Sequence, residues 1–280
     1  MENTTTHHTL IRAGCTLHYW LSGPEDGAVV ALTHGATIDH RTFEPQVAVL
    51  AQRYRVLTWD VRGHGLSQPL TSDFTLRQAA DDLLAILDHQ GYRKVTLVGQ
   101  SMGGNIAQEL LFLHPERVTA LVILDSACNT LKLSKLEQWI MRMSPMLFRL
   151  YPYSLLKWQS IHSSSISPSI RKYLSKVVRA HSKASFVAIL AATGSGLHYE
   201  PDYRITCPLL LARGEHDHLG NFKTAMPRWA KRDPQSRYVV VPNAGHASNQ
   251  DNPEFVNKLL LEFLAEVYTV HNDGSESTVT

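Results

Sequence analysis

Short runs of Val, Leu and Ile punctuate the chain, and stretches with helical spacing fill the gaps between them. Val29 to Thr33, Arg55 to Asp60, Val95 to Gly99, Ala120 to Leu124, Leu209 to Arg213 and Tyr238 to Val241 read as buried strands. Between them, Leu76, Ala79, Ala80, Leu83, Leu84, Ile86 and Leu87 put apolar groups on one helical face, with Asp81, Asp82 and Asp88 turned away. Gly91 suits the end of that helix. Ile106, Leu110, Leu111 and Leu113 mark a second helix, and Phe255, Leu259, Leu260, Phe263 and Leu264 the last. Strands alternating with helices predict a mostly parallel α/β sheet covered on both faces, with right-handed crossovers. Thr16 to Leu21 predicts an antiparallel strand of an N-terminal hairpin.

One stretch breaks the alternation. From about Leu131 to Arg204 no strand-like run occurs. Trp139, Ile140, Met143, Met146, Leu147 and Leu150 recur at helical spacing, followed by the polar linker His162 to Pro168 and a further helix. That length is too great for a simple loop, so a helical cap is expected. The organisation is then a core of residues 9–130 and 205–270, a cap over 131–204, and flexible tails at 1–8 and 271–280. His7 and His8 fall in the first tail and are not read as a metal site.

Composition narrows the function. With 280 residues the chain can bury a full core without disulfides or a structural metal. The hydrophobic share of 44% and charged share of 19% suit a soluble globular protein. The net charge of +2 gives no sign of a nucleic-acid partner. Cys15, Cys128 and Cys207 are few and scattered, as in a reducing compartment. No run approaches the length of a transmembrane helix, and MENTTTHHTL does not have the form of a signal peptide, so a cytoplasmic location is expected. The near-neutral total hides an asymmetry. Residues 131–204 hold 11 Lys and Arg against 3 Asp and Glu, or +8, which leaves −6 for the remainder. Those cap charges suit a solvated outer face, or a field that favours acidic acyl groups or an anionic membrane surface.

The sharpest local pattern is Gly99-Gln100-Ser101-Met102-Gly103-Gly104, which follows an apolar run and opens a helix. Strand, tight turn and helix are the setting of a nucleophile elbow, in which small neighbours tolerate a strained serine. The helix N-terminus there favours developing negative charge. An ordinary glycine turn would look similar, so the rest of the chain decides. His34-Gly35-Ala36 follows one strand, and Asp60-Val61-Arg62-Gly63-His64-Gly65 another. Gly214-Glu215-His216-Asp217 and Asn243-Ala244-Gly245-His246 follow two more. Serine, acid and histidine in that order, each just past a strand, can converge on one edge of a parallel sheet.

From about Leu17 to the terminal helix the sequence resembles the α/β-hydrolase superfamily, in the branch with a helical cap after the sixth strand. That branch includes esterases, lactonases, cofactor-free perhydrolases and carbon–carbon bond hydrolases. The resemblance implies Ser101 as nucleophile, Asp217 as acid and His246 as base, with the N–H groups of Ala36 and Met102 as oxyanion hole. Asp125 also ends a strand and is the alternative acid. His34, His64, Asp60 and Arg62 are expected to shape turns. Trp139, Met143, Met146 and Leu147 are the candidates for the substrate wall, though such spacing more often serves packing. A serine at the elbow excludes the aspartate chemistry of haloalkane dehalogenases and epoxide hydrolases. Met102 does not match the aromatic that usually follows the elbow serine in proline iminopeptidases. The expected activity is hydrolysis of small-molecule carboxylic esters, with lactones as the narrower class, and no metal or organic cofactor. Carbon–carbon or perhydrolytic chemistry on the same triad is the alternative. A binding protein that keeps the fold without turnover is a third reading, against which the full triad argues.

Overall fold

A computed structural model of the protein describes residues 4–70 and 74–273. Eight strands form one sheet in the order β1-β2-β4-β3-β5-β6-β7-β8. They are β1 (Thr6–Arg12), β2 (Cys15–Ser22), β3 (Val29–Thr33), β4 (Arg55–Trp59), β5 (Val95–Gln100), β6 (Val118–Leu124), β7 (Leu209–Gly214) and β8 (Arg237–Val241). The β1–β2 hairpin and the β2–β4 pair are antiparallel, and every pair from β4 onward is parallel. Parallel strands need covered faces, which is why β5, β6 and β7 are buried at every position and read as mostly apolar runs.

One apolar cluster lies beneath α2 (Leu76–His89) and α3 (Met102–Leu113). A second lies beneath α1 (Glu44–Leu50) and α10 (Pro253–Asp273). Between β6 and β7 the chain forms α4 (Lys135–Leu150), α5 (Tyr153–Ser164), α6 (Pro168–Val178) and α7 (Lys183–Ser195), hereafter the cap. α8 (Phe222–Arg232) joins β7 to β8, and the short α9 (Ser248–Asp251) precedes α10. Leu156, Ile161, Leu174, Val177, Val178 and Phe186 give the cap its own small core, closed against Ile38 of the sheet domain. Among the described residues no helix is long and apolar enough to cross a membrane.

Four expectations differ from the structure. Asp82, read as turned away on α2, is fully buried against Arg62. Residues 6–8 belong to β1 and not to a flexible tail: His7 pairs with Trp20 in the ladder, stacks on its ring, and lies 2.9 Å (Nε2 to Nδ1) from His18. This strand is largely exposed, so backbone pairing and stacking on β2 rings hold it and no apolar alternation announces it. The polar linker begins only after Ser164, because His162 lies inside α5, and the cap has four helices where two were read. α10 runs on to Asp273, and residues 274–280 of the expected second tail lie outside the described residues.

Candidate active site

The parallel order β3-β5-β6-β7-β8 brings the C-terminal ends of these strands together, and the loops after them build the site. Ser101 follows β5 with φ 52° and ψ −121°, a left-handed conformation that side chains rarely adopt. The neighbours explain how it is held. A Cβ at Gly103 would collide with the carbonyl of Thr33, and one at Gly99 with the carbonyl of Gly103. The chain therefore doubles back so tightly that only glycine fits on either side of the serine.

Asp217, three residues past β7, is buried, and its Oδ2 lies 2.9 Å from His246 Nδ1. His246 Nε2 lies 2.9 Å from Ser101 Oγ. Ser101, Asp217 and His246 thus form one continuous hydrogen-bonded line. Burial pulls the His246 imidazole down, but the Asp217 carboxylate, its hydrogen bond and the charge of Asp125 hold it above its ordinary value. Phe222, which opens α8, stacks on the imidazole at 5.4 Å and 13°.

Asp125 does not reach His246 by any hydrogen bond among the described residues. Its Oδ1 accepts from the Gly214 N–H at 2.7 Å, and its Oδ2 from the Ser248 N–H and hydroxyl at 3.2 and 2.5 Å. It ties the ends of β6 and β7 to the loop carrying His246. Burial pushes its carboxyl up to about 7, while His246 and these donors favour the charged form.

On the other side of Ser101, Met102 is the first residue of α3, so its N–H has no acceptor within the helix. Gly35 comes so close that a Cβ there would sit 3.3 Å from Ser101 Cβ, and Ala36 lines the same cavity. His34 fixes this loop. Its Nε2 accepts from the Val61 N–H at 3.0 Å, so Nδ1 carries the hydrogen and donates to the Gly35 carbonyl at 2.8 Å. Asp60 accepts from the His40 and Leu66 N–H groups at 2.9 and 2.7 Å, and Arg62 donates to buried Asp82 at 2.5 and 2.7 Å. His64 is buried with Nδ1 3.1 Å from the Arg62 carbonyl.

Above the triad lies a cavity of about 850 Å³, roofed by the cap. Its wall is mostly apolar, with Ile38, Phe148, Leu156, Leu174, Phe186 and Phe222 among the lining. Glu137 is its one carboxylate, and among the described residues no Lys or Arg lines it. Hydrogen bonds with Ser134 hold the Glu137 carboxyl below its ordinary range, and Asn221 donates to it across the cavity mouth.

The wall differs from the sequence expectation. Trp139, Met143, Met146 and Leu147 are not part of it, and Trp139, Met146 and Leu147 are more than half exposed. α4 turns Ile140, Ser144 and Phe148 inward instead, about one quarter-turn around the helix. Glu137, Asn221 and Phe222 were not foreseen. The Ser134–Glu137 pair does carry a legible signal, since Ser-x-x-Glu is a capping box and places α4. Among the described residues no three His, Cys, Asp or Glu side chains gather as a metal site would require.

A serine elbow, a histidine and an acid on the edge of such a sheet define a hydrolase fold, and sequence comparison agrees. The profile of the alpha/beta hydrolase family matches residues 29–259, and the chain belongs to that family. The putative carbamate hydrolase RutD of Caulobacter vibrioides is 30% identical over 264 residues, 89% of this chain and 95% of that protein. The 3-oxoadipate enol-lactonase 1 of Acinetobacter baylyi is 36% identical over 118 residues, where the match spans 42% of this chain and 44% of that protein. Among solved structures, a thermophilic esterase from Thermogutta terrifontis superposes with TM-score 0.79 at 24% identity, covering 94% of this chain and 99% of that one. The enol-lactonase from Burkholderia xenovorans LB400 also gives 0.79, at 22% identity over 92% and 100%. At these identities the structural likeness speaks for the fold alone.

Proposed function

We propose that the protein is a serine hydrolase that cleaves uncharged carboxylic esters, lactones included, through an acyl-enzyme. The observation that carries this reading is the Ser101–His246–Asp217 line, 2.9 Å at each link, at the floor of a largely apolar cavity. His246 Nε2 takes the proton as Ser101 Oγ attacks the carbonyl carbon. The N–H groups of Ala36 and Met102 receive the oxyanion, a contribution worth about 3 kcal/mol per donor. His246 then gives the proton to the leaving alkoxide. Water, deprotonated by the same nitrogen, attacks the acyl-enzyme, and His246 returns that proton to Ser101 Oγ as the acyl–oxygen bond breaks and the acid is freed. Asp217 keeps the hydrogen on Nδ1 and stabilises the imidazolium. Every proton is carried by His246, so the cycle calls on no metal or organic cofactor.

The preference for uncharged substrates rests on the wall. A carboxylate-bearing substrate would face Glu137 and, among the described residues, meet no Lys or Arg in return, and an unpaired buried charge is costly. The enol-lactonase among the sequence relatives makes lactones and simple esters the first substrates to try. The test is labelling by a fluorophosphonate together with turnover of an ester and lactone panel. Labelling and turnover should both vanish in Ser101→Ala; parental turnover in that variant would sink the proposal.

A further inference from the structure

The cap carries its most hydrophobic surface on the outside. At 3.6 residues per turn, Leu136, Trp139, Met146, Leu147 and Leu150 fall on one stripe of α4, and that stripe faces solvent, between 55% and 73% exposed. α5 continues the display with Trp158, 56% exposed, after the turn at Tyr151. Of the fourteen large apolar side chains exposed among the described residues, nine lie between Leu136 and Trp158. Surfaces of this kind mark an interaction site. Ile140 stands on the border of the stripe, half exposed and also lining the cavity, so the patch adjoins the substrate entrance.

Its charge decides the partner. Lys132, Lys135, Arg149 and Lys157 accompany the stripe, and on the helical wheel Lys135 and Arg149 fall on the border opposite Ile140. From residue 132 to 164 the charge is +4, five basic residues against Glu137. A second copy of the chain would bring +4 against +4, which opposes self-pairing. Exposed Trp and Leu bordered by Lys and Arg match the acyl and headgroup layers of an anionic lipid surface. We propose that the outer face of α4 and α5 docks on anionic lipid bilayers, with the cavity entrance held at the lipid boundary. The docking itself does not depend on the ester-hydrolase reading.

The experiment uses the full chain with Ser101→Ala, so that binding is read without turnover, and vesicles of phosphatidylcholine with or without phosphatidylglycerol. Sedimentation should show partition to the anionic vesicles at least about tenfold stronger than to the neutral ones, with a blue shift of tryptophan emission. Leu150→Gln/Trp158→Gln should lose about tenfold on both vesicle types, and Lys135→Gln/Arg149→Gln should lose the preference for the anionic one. In the Ser101 background the Leu150→Gln/Trp158→Gln protein should keep its turnover of a water-soluble ester within about twofold, which shows that it folds. Equal partition of parent and apolar variant would overturn the proposal. So would no partition at all, or a dimer in light scattering that this variant abolishes while vesicles stay unbound. Absence of ester turnover with intact vesicle binding would sink the proposed function and leave the docking surface standing.

Discussion

At the C-terminal edge of the sheet, His34, Asp125 and Asp217 are buried almost completely, and each is held by hydrogen bonds from neighbouring loops. On the cap, α4 does the reverse: it turns Glu137 and Ser144 toward the cavity and leaves Trp139 and Leu150 in water. Polar groups are tolerated inside where loops on several strands can satisfy them, because each unmet hydrogen bond costs about 1–3 kcal/mol. An apolar stripe outside carries no such penalty within the fold, so it can be kept for a partner. The edge is therefore constrained by its own network and the cap by what it meets. Several contacts join them. Tyr173 of α6 donates to Asp39 at 2.9 Å, His181 packs against His64 at 5.3 Å, and Asp251 accepts from both the cap linker and the His246 loop.

The largest effects should follow from breaking the edge. Ser101→Ala should lower kcat by about 10⁴-fold or more, and Asp217→Asn by about 10⁴-fold through a misplaced Nδ1 hydrogen, both with an unchanged Tm. Steady-state turnover of a soluble ester checks both. Full activity in Asp217→Asn together with loss in Asp125→Asn would move the acid to the end of β6. Only neutral His246 can accept the serine proton, and its pKa lies above the ordinary 6.5. The parent's kcat/KM should accordingly climb as pH rises through a midpoint above 6.5, and Asp217→Asn should carry that midpoint downward.

Next in size is the acid lability of the joint at His181. Burial, with nearby His34, pulls its imidazole down to about 4, against the pull of a backbone bond to Thr37 and the charge of Asp39. His64 beside it is also held neutral by burial. A depressed histidine binds its proton more readily in the unfolded chain, so its share of stability is complete above pH 6.5. That share drains away as pH falls toward 4, up to about 3 kcal/mol. His246, with a raised pKa, contributes in the opposite sense, losing its share as pH rises. Urea titrations from pH 7.5 to 4 should show the midpoint falling over this window, and His181→Gln should flatten the fall. An unchanged slope in the variant would assign the lability elsewhere.

The Asp251 joint should come third. Its carboxylate takes hydrogen bonds from the Ser165 hydroxyl at 2.5 Å, the Ile166 N–H at 3.1 Å and the Gly245 N–H at 2.8 Å. Asp251→Ala should cost about 2 kcal/mol of stability and, on the proposed mechanism, about tenfold in kcat/KM, since Gly245 precedes His246. Asp251→Asn keeps one oxygen acceptor and should recover part of both. A change in KM with kcat untouched would confine the carboxylate to the cap and detach it from His246.

The same contrast explains what could be read from the sequence. β5, β6 and β7 were legible because two covered faces leave mostly apolar residues, Ser101 and Asp217 because each sits in the turn after such a strand, and His246 because its Gly-His turn follows β8 and leads to the last helices. β1 was not legible, as Thr6, His7 and His8 are held by backbone pairing and by ring stacking on Tyr19 and Trp20, which no apolar alternation announces. On α4 hydrophobicity did not separate the faces: Trp139, Met146 and Leu147 are apolar and exposed, yet the wall is Glu137, Ile140, Ser144 and Phe148. Which stripe of a helix meets the cavity is fixed by what packs behind it, and on α4 that lay in residues far along the chain.

The smallest expected effect separates the charges of the two regions. If the basic cap steered anions into the site, a carboxylate-bearing ester would outrun its neutral analogue at low salt and lose that lead as salt rises. The wall predicts the opposite, because Glu137 is its one carboxylate and no Lys or Arg lines it among the described residues. The neutral ester should therefore be favoured. Glu137→Gln should raise kcat/KM for the anionic ester by about fivefold, equivalent to about 1 kcal/mol of repulsion across a partly hydrated cavity, and leave the neutral one unchanged. Gln can still accept from the Ser134 N–H, so α4 should keep its cap. Raising salt from about 0.1 M to about 1 M shortens the screening length from about 10 Å to about 3 Å, and the parent's discrimination should shrink with it. A parent that prefers the anionic ester, with a preference that salt removes, would transfer control of substrate charge from Glu137 to the outer lysines and arginines.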